Sequence, residues 1–353
     1  MAMRTARYDR VRAAVDATAI RPVWGVLALS VGLFGLGVKL PAALAYGPLL
    51  ASAVLFGLPH GAIDHLAVTR VSGRAATVRS VGSVVGVYAF AGGLYVLLWF
   101  LQPLAAFVLF IGITWLHWGQ GDVHALVALE GVDHLQSRAQ RLGTLVVRGG
   151  LPMLGPLIFW GGEYRQVAAL LVGRFGGSTA AIDVLFGATP QLLVGVGLGV
   201  LTVGTLGMGV ARAPRGLRDH GWRRDAGETG LLWLFFWVVP PVVAVGLYFC
   251  LWHALRHIAR LIALDEPGAA ALAAEAIGPA LGGFARDATP LTAVSLGLLG
   301  GLYLIVPVQP ASGAETVGLY LVLISVLTLP HVLVVSYMDR VEGVWRRLQP
   351  TGQ

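Results

Sequence analysis

The chain has one cysteine, Cys250, and one lysine, Lys39, in 353 residues. A single cysteine excludes a disulfide framework and any metal site built on several thiolates. Charge is scarce as well. Only 12% of residues are Asp, Glu, Lys or Arg, where a soluble domain carries about 25%. The net charge of +7 comes almost wholly from arginine. Those arginines sit in clusters between apolar runs, which marks them as topology signals and not as a nucleic-acid-binding surface. No two histidines are adjacent.

What fills the chain instead is hydrocarbon. Hydrophobic residues make up 56% of it, the mean hydropathy is +0.76, and 48 glycines suit closely packed membrane helices. Apolar runs long enough to cross about 30 Å of hydrocarbon occur near 22–39, 46–68, 80–100, 103–128, 142–160, 190–211, 228–263, 289–308 and 316–338. The 228–263 run is too long for one straight span, and "VVPPVV" at 238–243 divides it, since proline removes a backbone donor and clashes with the preceding turn. The weaker 164–186 segment is expected at the membrane interface. The fold class expected is an all-α, polytopic integral membrane bundle of about eight to ten transmembrane helices. Its expected parts are a basic N-terminal arm over 1–21, a single transmembrane domain over 22–340 and a short tail over 341–353.

Arginine placement gives an orientation. Arg4, Arg7, Arg10 and Arg12 precede the first run; Arg70, Arg74 and Arg79 follow the second; Arg138 and Arg141 follow the fourth; five more lie between Arg212 and Arg224. By the positive-inside rule the N-terminus is expected to be cytoplasmic. Arg340, Arg346 and Arg347 favour a cytoplasmic C-terminus, which requires an even number of spans.

Against this background the polar groups stand out, because each costs free energy to bury in a bilayer. His60 and Asp64 lie four apart in "LPHGAIDH" (58–65) and share a helix face. His117 lies in "LHWGQGDV" (116–123), flanked by Trp115 and Trp118 and followed by Asp122. His253 and His257 in "LWHALRHI" (251–258) have the i, i+4 spacing that lets two imidazoles reach one metal ion. His331 follows a proline in "LTLPHVLV" (327–334). Any one of these could be a hydrogen-bonded packing residue. Asp64 and Asp122 could be helix-end groups, and the tryptophans interfacial anchors. His65, His124 and His134 read as interfacial or supporting residues. The co-occurrence of imidazoles on three separate apolar helices points instead to a metal held by nitrogen, and imidazole suits iron, zinc, copper or nickel. Asp64 and Asp122 are placed to accept the outer ring N–H of a ligand and offset the ion's charge.

These stretches, together with "RGGLPMLGPLIF" (148–159), resemble the Brp/Blh family, membrane β-carotene 15,15′-dioxygenases of archaea and bacteria that make retinal, often for rhodopsins. The family pattern runs close to H-G-x-x-D-H, H-[FW]-G-x-x-D, W-H-x-x-R-H and L-P-H, and all four occur here in that order, over about 57–338. After Phe159 the chain reads "WGGEYR", where the family pattern has a His-Pro pair. The resemblance implies one non-haem Fe(II) held by His60, His117, His253 and His257, with His331 in the pocket or behind a ligand. It implies cleavage of the central double bond of β-carotene by O2 into two molecules of retinal, in a cell membrane, with membrane lipid around the enzyme and a retinal-using rhodopsin as downstream acceptor. Trp115, Trp118, Tyr248, Phe249 and Trp252 flank the proposed ligands and are expected to line an apolar tunnel, with no nucleic acid involved.

Two other classes share part of the pattern. A di-iron membrane desaturase or hydroxylase also uses H-x-x-x-H spacing, but needs about eight histidines in hydrophilic boxes, usually with an adjacent pair. A transporter with an intramembrane His/Asp relay needs no metal. A retinal-binding opsin needs a lysine deep in a late helix, and Lys39 ends the first run.

Overall fold

The computed structural model describes residues 2–346. Every regular element among them is a helix. Nine helices among the described residues are long and apolar enough to cross a membrane, and the chain is a multi-pass membrane protein. Numbered in chain order with one shorter helix, they are α1 (Ala6–Gly35), α2 (Ala43–Val71), α3 (Val78–Leu101), α4 (Pro103–Leu129), α5 (Arg138–Phe159), α6 (Ala188–Arg212), α7 (His220–Val238), α8 (Pro241–Leu264), α9 (Ile277–Ile305) and α10 (Gly313–Glu342). The short helix is α7, whose first half is charged.

The sequence marks many of the helix ends. Thr77 with Ser80, and Ser137 with Gln140, form reciprocal capping boxes at the starts of α3 and α5. Asp219 and Ser312 accept backbone N–H groups at the starts of α7 and α10. Pro103 and Pro241 occupy first-turn positions where no N–H is needed. Pro240 and Pro241 separate α7 from α8, as "VVPPVV" predicts.

Three elements differ in extent from the sequence expectation. The N-terminal arm is helical and forms the first part of α1, which carries a π-turn at Asp16–Ile20. It is tied down along its length: Arg7 pairs with Glu266, the Tyr8 hydroxyl donates to Ala128 O, and Arg12 donates to Leu129 O. Helix α9 begins at Ile277, well before the expected 289, and carries Asp287 within it, paired with Arg70 at 2.6 Å; the charge interrupts the apolar run without interrupting the helix. The 164–186 region holds a helix at Gly161–Arg174 and a turn at Ala180–Asp183. Helix α10 runs to Glu342, into the expected tail of 341–353, and the tail beyond residue 346, with Arg347, lies outside the described residues.

Burial orders the bundle. About 72% of the apolar window is buried in both α8 and α10, and 61% in α5, against 17% in α9 and 22% in α6. Helices α8 and α10 are therefore central. The exposed Leu192, Leu193, Val196, Val200 and Val203 of α6 face outward, as a lipid-contacting helix requires. Helices α4 and α5 approach backbone to backbone. A Cβ on Gly119 would strike the Leu145 carbonyl, and one on Gly149 would strike the Trp115 carbonyl. Glycine is the residue that permits this contact, and small residues drive such packing in a medium without a hydrophobic effect.

Candidate metal centre

Four helices deliver five histidines to one place. His60 lies in the last turn of a short helical piece, Gly57–Ala62, within α2, which breaks at Ile63 and restarts at Asp64. The entry angle of that piece depends on Gly57, where a Cβ would meet Ser52 O at 2.6 Å and the Phe249 ring at 2.7 Å. His117 projects from the middle of α4. His253 closes a π-turn at Tyr248–His253 within α8, and His257 follows one turn later. Such π-turns are rare and recur at functional sites. His331 follows Pro330 inside α10.

All five rings are buried. Ring centroids are 4.6 Å apart for His117–His253 and for His117–His331, 5.0 Å for His60–His331, 5.2 Å for His257–His331, 5.3 Å for His60–His253 and 5.5 Å for His60–His257. Nε2 of His253 stands 2.9 Å from Nε2 of His117. Nδ1 of His117, Nε2 of His257 and Nε2 of His331 have no hydrogen-bond partner although each is fully enclosed. One ring nitrogen each from His60, His117 and His331 lie within 4.8 Å of one another, and so do donor atoms of Asp64, His257 and His331. Buried polar atoms almost always find partners. A convergence of open imidazole nitrogens is the donor set a borderline metal ion takes, so the residues fit a metal.

The supporting contacts divide the two aspartates. Asp64 Oδ2 accepts from His331 Nδ1 at 2.7 Å and from the Tyr88 hydroxyl at 2.6 Å. That bond leaves Nε2 of His331 for the cluster, the carboxylate–histidine arrangement common at metal ligands. The Gly57 carbonyl engages Nδ1 of His60 in the same manner. Among the described residues Asp122 makes no hydrogen bond or ion pair with a histidine. It accepts from Trp252 Nε1 at 3.0 Å and faces Arg148 at 3.6 Å, so its oxygens are engaged by an indole and a guanidinium.

An apolar cavity of about 450 Å³ opens beside the histidines, lined by His60, His117, His331, Tyr88, Trp118 and Phe249 among others. Of the five aromatic residues expected around it, Trp118 and Phe249 line it. Trp115, Tyr248 and Trp252 do not. Trp115 donates to Val146 O on α5, and Tyr248 and Trp252 stack behind, their centroids 6.1 Å apart. His65 lines the cavity without joining the cluster and its Nδ1 meets Ala62 O at 3.1 Å. His124 faces Glu342, and His134 faces Asp225 at 3.0 Å.

Beyond the expected residues is a buried ion network. Glu228 pairs with Arg148 and with Arg256, the latter at 2.6 Å, and accepts from Trp24 at 2.8 Å. Arg224 pairs with Glu130 and Asp16. The Arg256 guanidinium lies 3.6 Å from the Trp252 ring centroid, a cation–π contact. Its sequence signal was an arginine and a glutamate inside apolar runs. Tyr88 carried less signal, being one hydroxyl on an outer span.

The model of the β-carotene 15,15′-dioxygenase family matches residues 51–339, which contain all five histidines. The chain belongs to this family. It is 47% identical over 309 residues to the probable β-carotene 15,15′-dioxygenase Blh of Halobacterium salinarum, covering 87% of this chain and 88% of that one. It is 35% identical over 337 residues to the probable β-carotene 15,15′-dioxygenase Brp of the same organism, covering 90% of each. It is 22% identical over 294 residues to the β-carotene 15,15′-dioxygenase of an uncultured marine bacterium, covering 82% of this chain and 93% of that one. No solved structure matches. Family membership weighs against the di-iron desaturase and the metal-free relay.

Proposed function

We propose that this protein cleaves the central 15,15′ double bond of β-carotene with O2, giving two molecules of retinal. The observation that carries this reading is the five-histidine cluster set against a lipid-facing apolar cavity, in a chain of the β-carotene 15,15′-dioxygenase family. The metal assigned is Fe(II), held by His60, His117, His253 and His257. The unpartnered Nε2 of His331 supports it as a further ligand. Iron bound there would supply the activation of O2.

The chain's own residues do the remaining work. The cavity offers hydrocarbon to hydrocarbon, so a polyene dissolved in the bilayer enters it without losing favourable solvation. Its outer rim carries Val85 of α3 and Val294 and Leu298 of α9, all about half exposed on the outside of the bundle, and this supports access directly from the lipid. Trp118 and Phe249, ring centroids 6.0 Å apart, stand beside the histidines and hold the polyene over them. Their faces also attract positive charge developing along the chain. Asp64 and the Gly57 carbonyl fix the rings of His331 and His60. Cleavage adds one oxygen atom to each half of the substrate and moves no proton, so positioning carries the regiochemistry and no acid or base is needed.

By the arginine pattern the N-terminus lies in the cytoplasm of a cell membrane, residues 22–340 form one catalytic domain, and retinal released into the bilayer is available to a rhodopsin. The test is expression in carotene-producing bacteria. Loss of colour with retinal appearing is expected. Unchanged β-carotene in cells that contain the folded protein would sink the reading.

A further inference from the structure

The wall of the cavity beside the histidines carries four hydroxyl groups among the described residues, those of Tyr88, Thr114, Ser295 and Thr328. Three of them are satisfied within the fold. The Tyr88 hydroxyl donates to Asp64 at 2.6 Å, Ser295 Oγ to Leu291 O at 2.9 Å and Thr328 Oγ1 to Ile324 O at 2.6 Å. The last two make the bond to the carbonyl four residues back that commonly satisfies a hydroxyl on a helix. Thr114 does not. It is 2% exposed, and its Oγ1 is enclosed with no partner among the described residues. A buried hydroxyl in that state is costly unless something in the cavity bonds it.

Its place is the reacting end of the cavity. Thr114 stands one turn before His117 on α4, and residues three or four apart on a helix share a face. Thr114, His117 and Trp118 are therefore neighbours on the cavity wall. The Trp118 ring lies 5.7 Å from that of His253. Ser295, by contrast, belongs to α9, next to Val294 at the lipid-facing rim.

The reaction read above creates a partner for this hydroxyl, and the inference rests on that reading. β-Carotene is a hydrocarbon and accepts no hydrogen bond. Cleavage breaks its central C=C bond and the O–O bond of O2 and forms two C=O bonds, so each half ends in an aldehyde oxygen. Those oxygens arise at the cluster, within a wall that is mostly hydrocarbon. An oxygen buried there without a donor is destabilised. A bond made to it, and not to the hydrocarbon substrate, is the kind of differential interaction that lowers a barrier. We propose that Thr114 is a catalytic residue whose hydroxyl donates a hydrogen bond to the oxygen that cleavage places on the nearer reacting carbon, the aldehyde oxygen of one retinal.

The test removes the hydroxyl and keeps the shape. Thr114→Val is isosteric, and Thr114→Ser retains the hydroxyl. Metal-free protein in detergent is titrated with all-trans-retinal, followed by quenching of tryptophan fluorescence, and the bound aldehyde is read by its infrared carbonyl stretch. Wild type and Thr114→Ser should bind retinal about 3- to 10-fold more tightly than Thr114→Val, the effect of one neutral hydrogen bond. They should also hold the carbonyl stretch at lower frequency. A C20 hydrocarbon analogue of retinal without the oxygen should bind Thr114→Val at least as tightly as wild type. The thermal midpoint of ligand-free Thr114→Val should not fall, because no bond within the fold is lost. With iron and β-carotene, the variant should lower kcat more than it raises KM. An equal carbonyl stretch and equal retinal affinity in wild type and Thr114→Val overturn the inference. So does a lower midpoint, which would place the hydroxyl's partner inside the fold, and so does metal-free wild type that binds no retinal. If Thr114→Val does not fold, the carbonyl stretch in Thr114→Ala is read against Thr114→Ser with the same expectation. All of these outcomes leave the function reading intact as long as the wild type makes retinal from β-carotene. A folded, iron-loaded wild type that makes none overturns that reading instead.

Discussion

Helix α8 presents two kinds of buried polar residue within eight positions. His253 and His257 join the cluster, while Arg256 and Arg260 turn to carboxylates: Arg256 to Glu228, and Arg260 to Asp339 at 2.8 Å and to Glu342. Both sets lie in the interior of a membrane protein, yet their surroundings are opposite. Each guanidinium faces at least one carboxylate, as a buried charge must. The imidazoles, which can stay neutral, converge with three of their nitrogens unpartnered. Hydrogen bonding alone does not tell the two apart, since Nε of Arg256 and Nη1 of Arg260 are unpartnered as well. Charge pairing does: each guanidinium is matched by a carboxylate and holds helices in register, while neutral imidazoles have no charge to match and, gathered together, are a place for a cation to bind.

Mutations at the two faces should break in different currencies. The largest effect is expected at the cluster. His60→Ala, His117→Ala, His253→Ala and His257→Ala should each remove iron and abolish retinal formation, measured by elemental analysis of the purified protein and by product chromatography, while leaving the thermal midpoint close to that of the metal-free wild type. A variant that keeps full iron and activity removes its residue from the ligand set. Next comes the charged face. Arg256→Ala leaves Glu228 short of one counter-charge in the interior and should cost about 3–5 kcal/mol of stability. Reversible denaturation in detergent micelles checks this, and the protein that remains folded should still bind iron. A variant that loses iron but not stability would erase the distinction between the faces.

The supporting shell sharpens the comparison further. Asp64→Asn keeps the size of the side chain but weakens its hold on His331, and iron affinity should fall by about 10–100-fold, as at other metal sites stripped of an outer carboxylate. Competition with a chelator measures it, and activity should recover when iron is added in excess. Tyr88→Phe removes one hydrogen bond to the same carboxylate. It should cost about 1 kcal/mol, read as a small loss of iron affinity in the same titration. An Asp64→Asn protein with unchanged affinity would mean that the 2.7 Å contact to His331 does not tune the site.

Much of this was legible in the residues. Membrane character followed from scarce charge and abundant hydrocarbon, and the break at Pro240–Pro241 from the chemistry of proline. The four histidine stretches were visible because imidazole in an apolar run is costly. The helical arm was less legible, since its tethers Glu266, Ala128 and Leu129 lie more than a hundred residues away. The assignment of Asp122 was also out of reach. Its spacing from His117 allows a shared site, but that it meets Trp252 and Arg148 instead depends on how α8 and α5 pack.

The sequence by itself determined the solvent this protein folds in, the approximate spans, and the residues with enough cost of burial to need a reason. These are local properties, fixed by side-chain transfer free energies and backbone geometry. Only the tertiary structure decided that His331 stands inside the cluster, that Asp64 serves it, that Tyr88 serves Asp64, and that Arg256 answers to Glu228. Each of those pairings joins residues at least 24 positions apart. They depend on rotation and depth of whole helices, which are set by glycine contacts such as Gly119–Leu145 and by the π-turn at Tyr248–His253, and no periodicity within one helix encodes them.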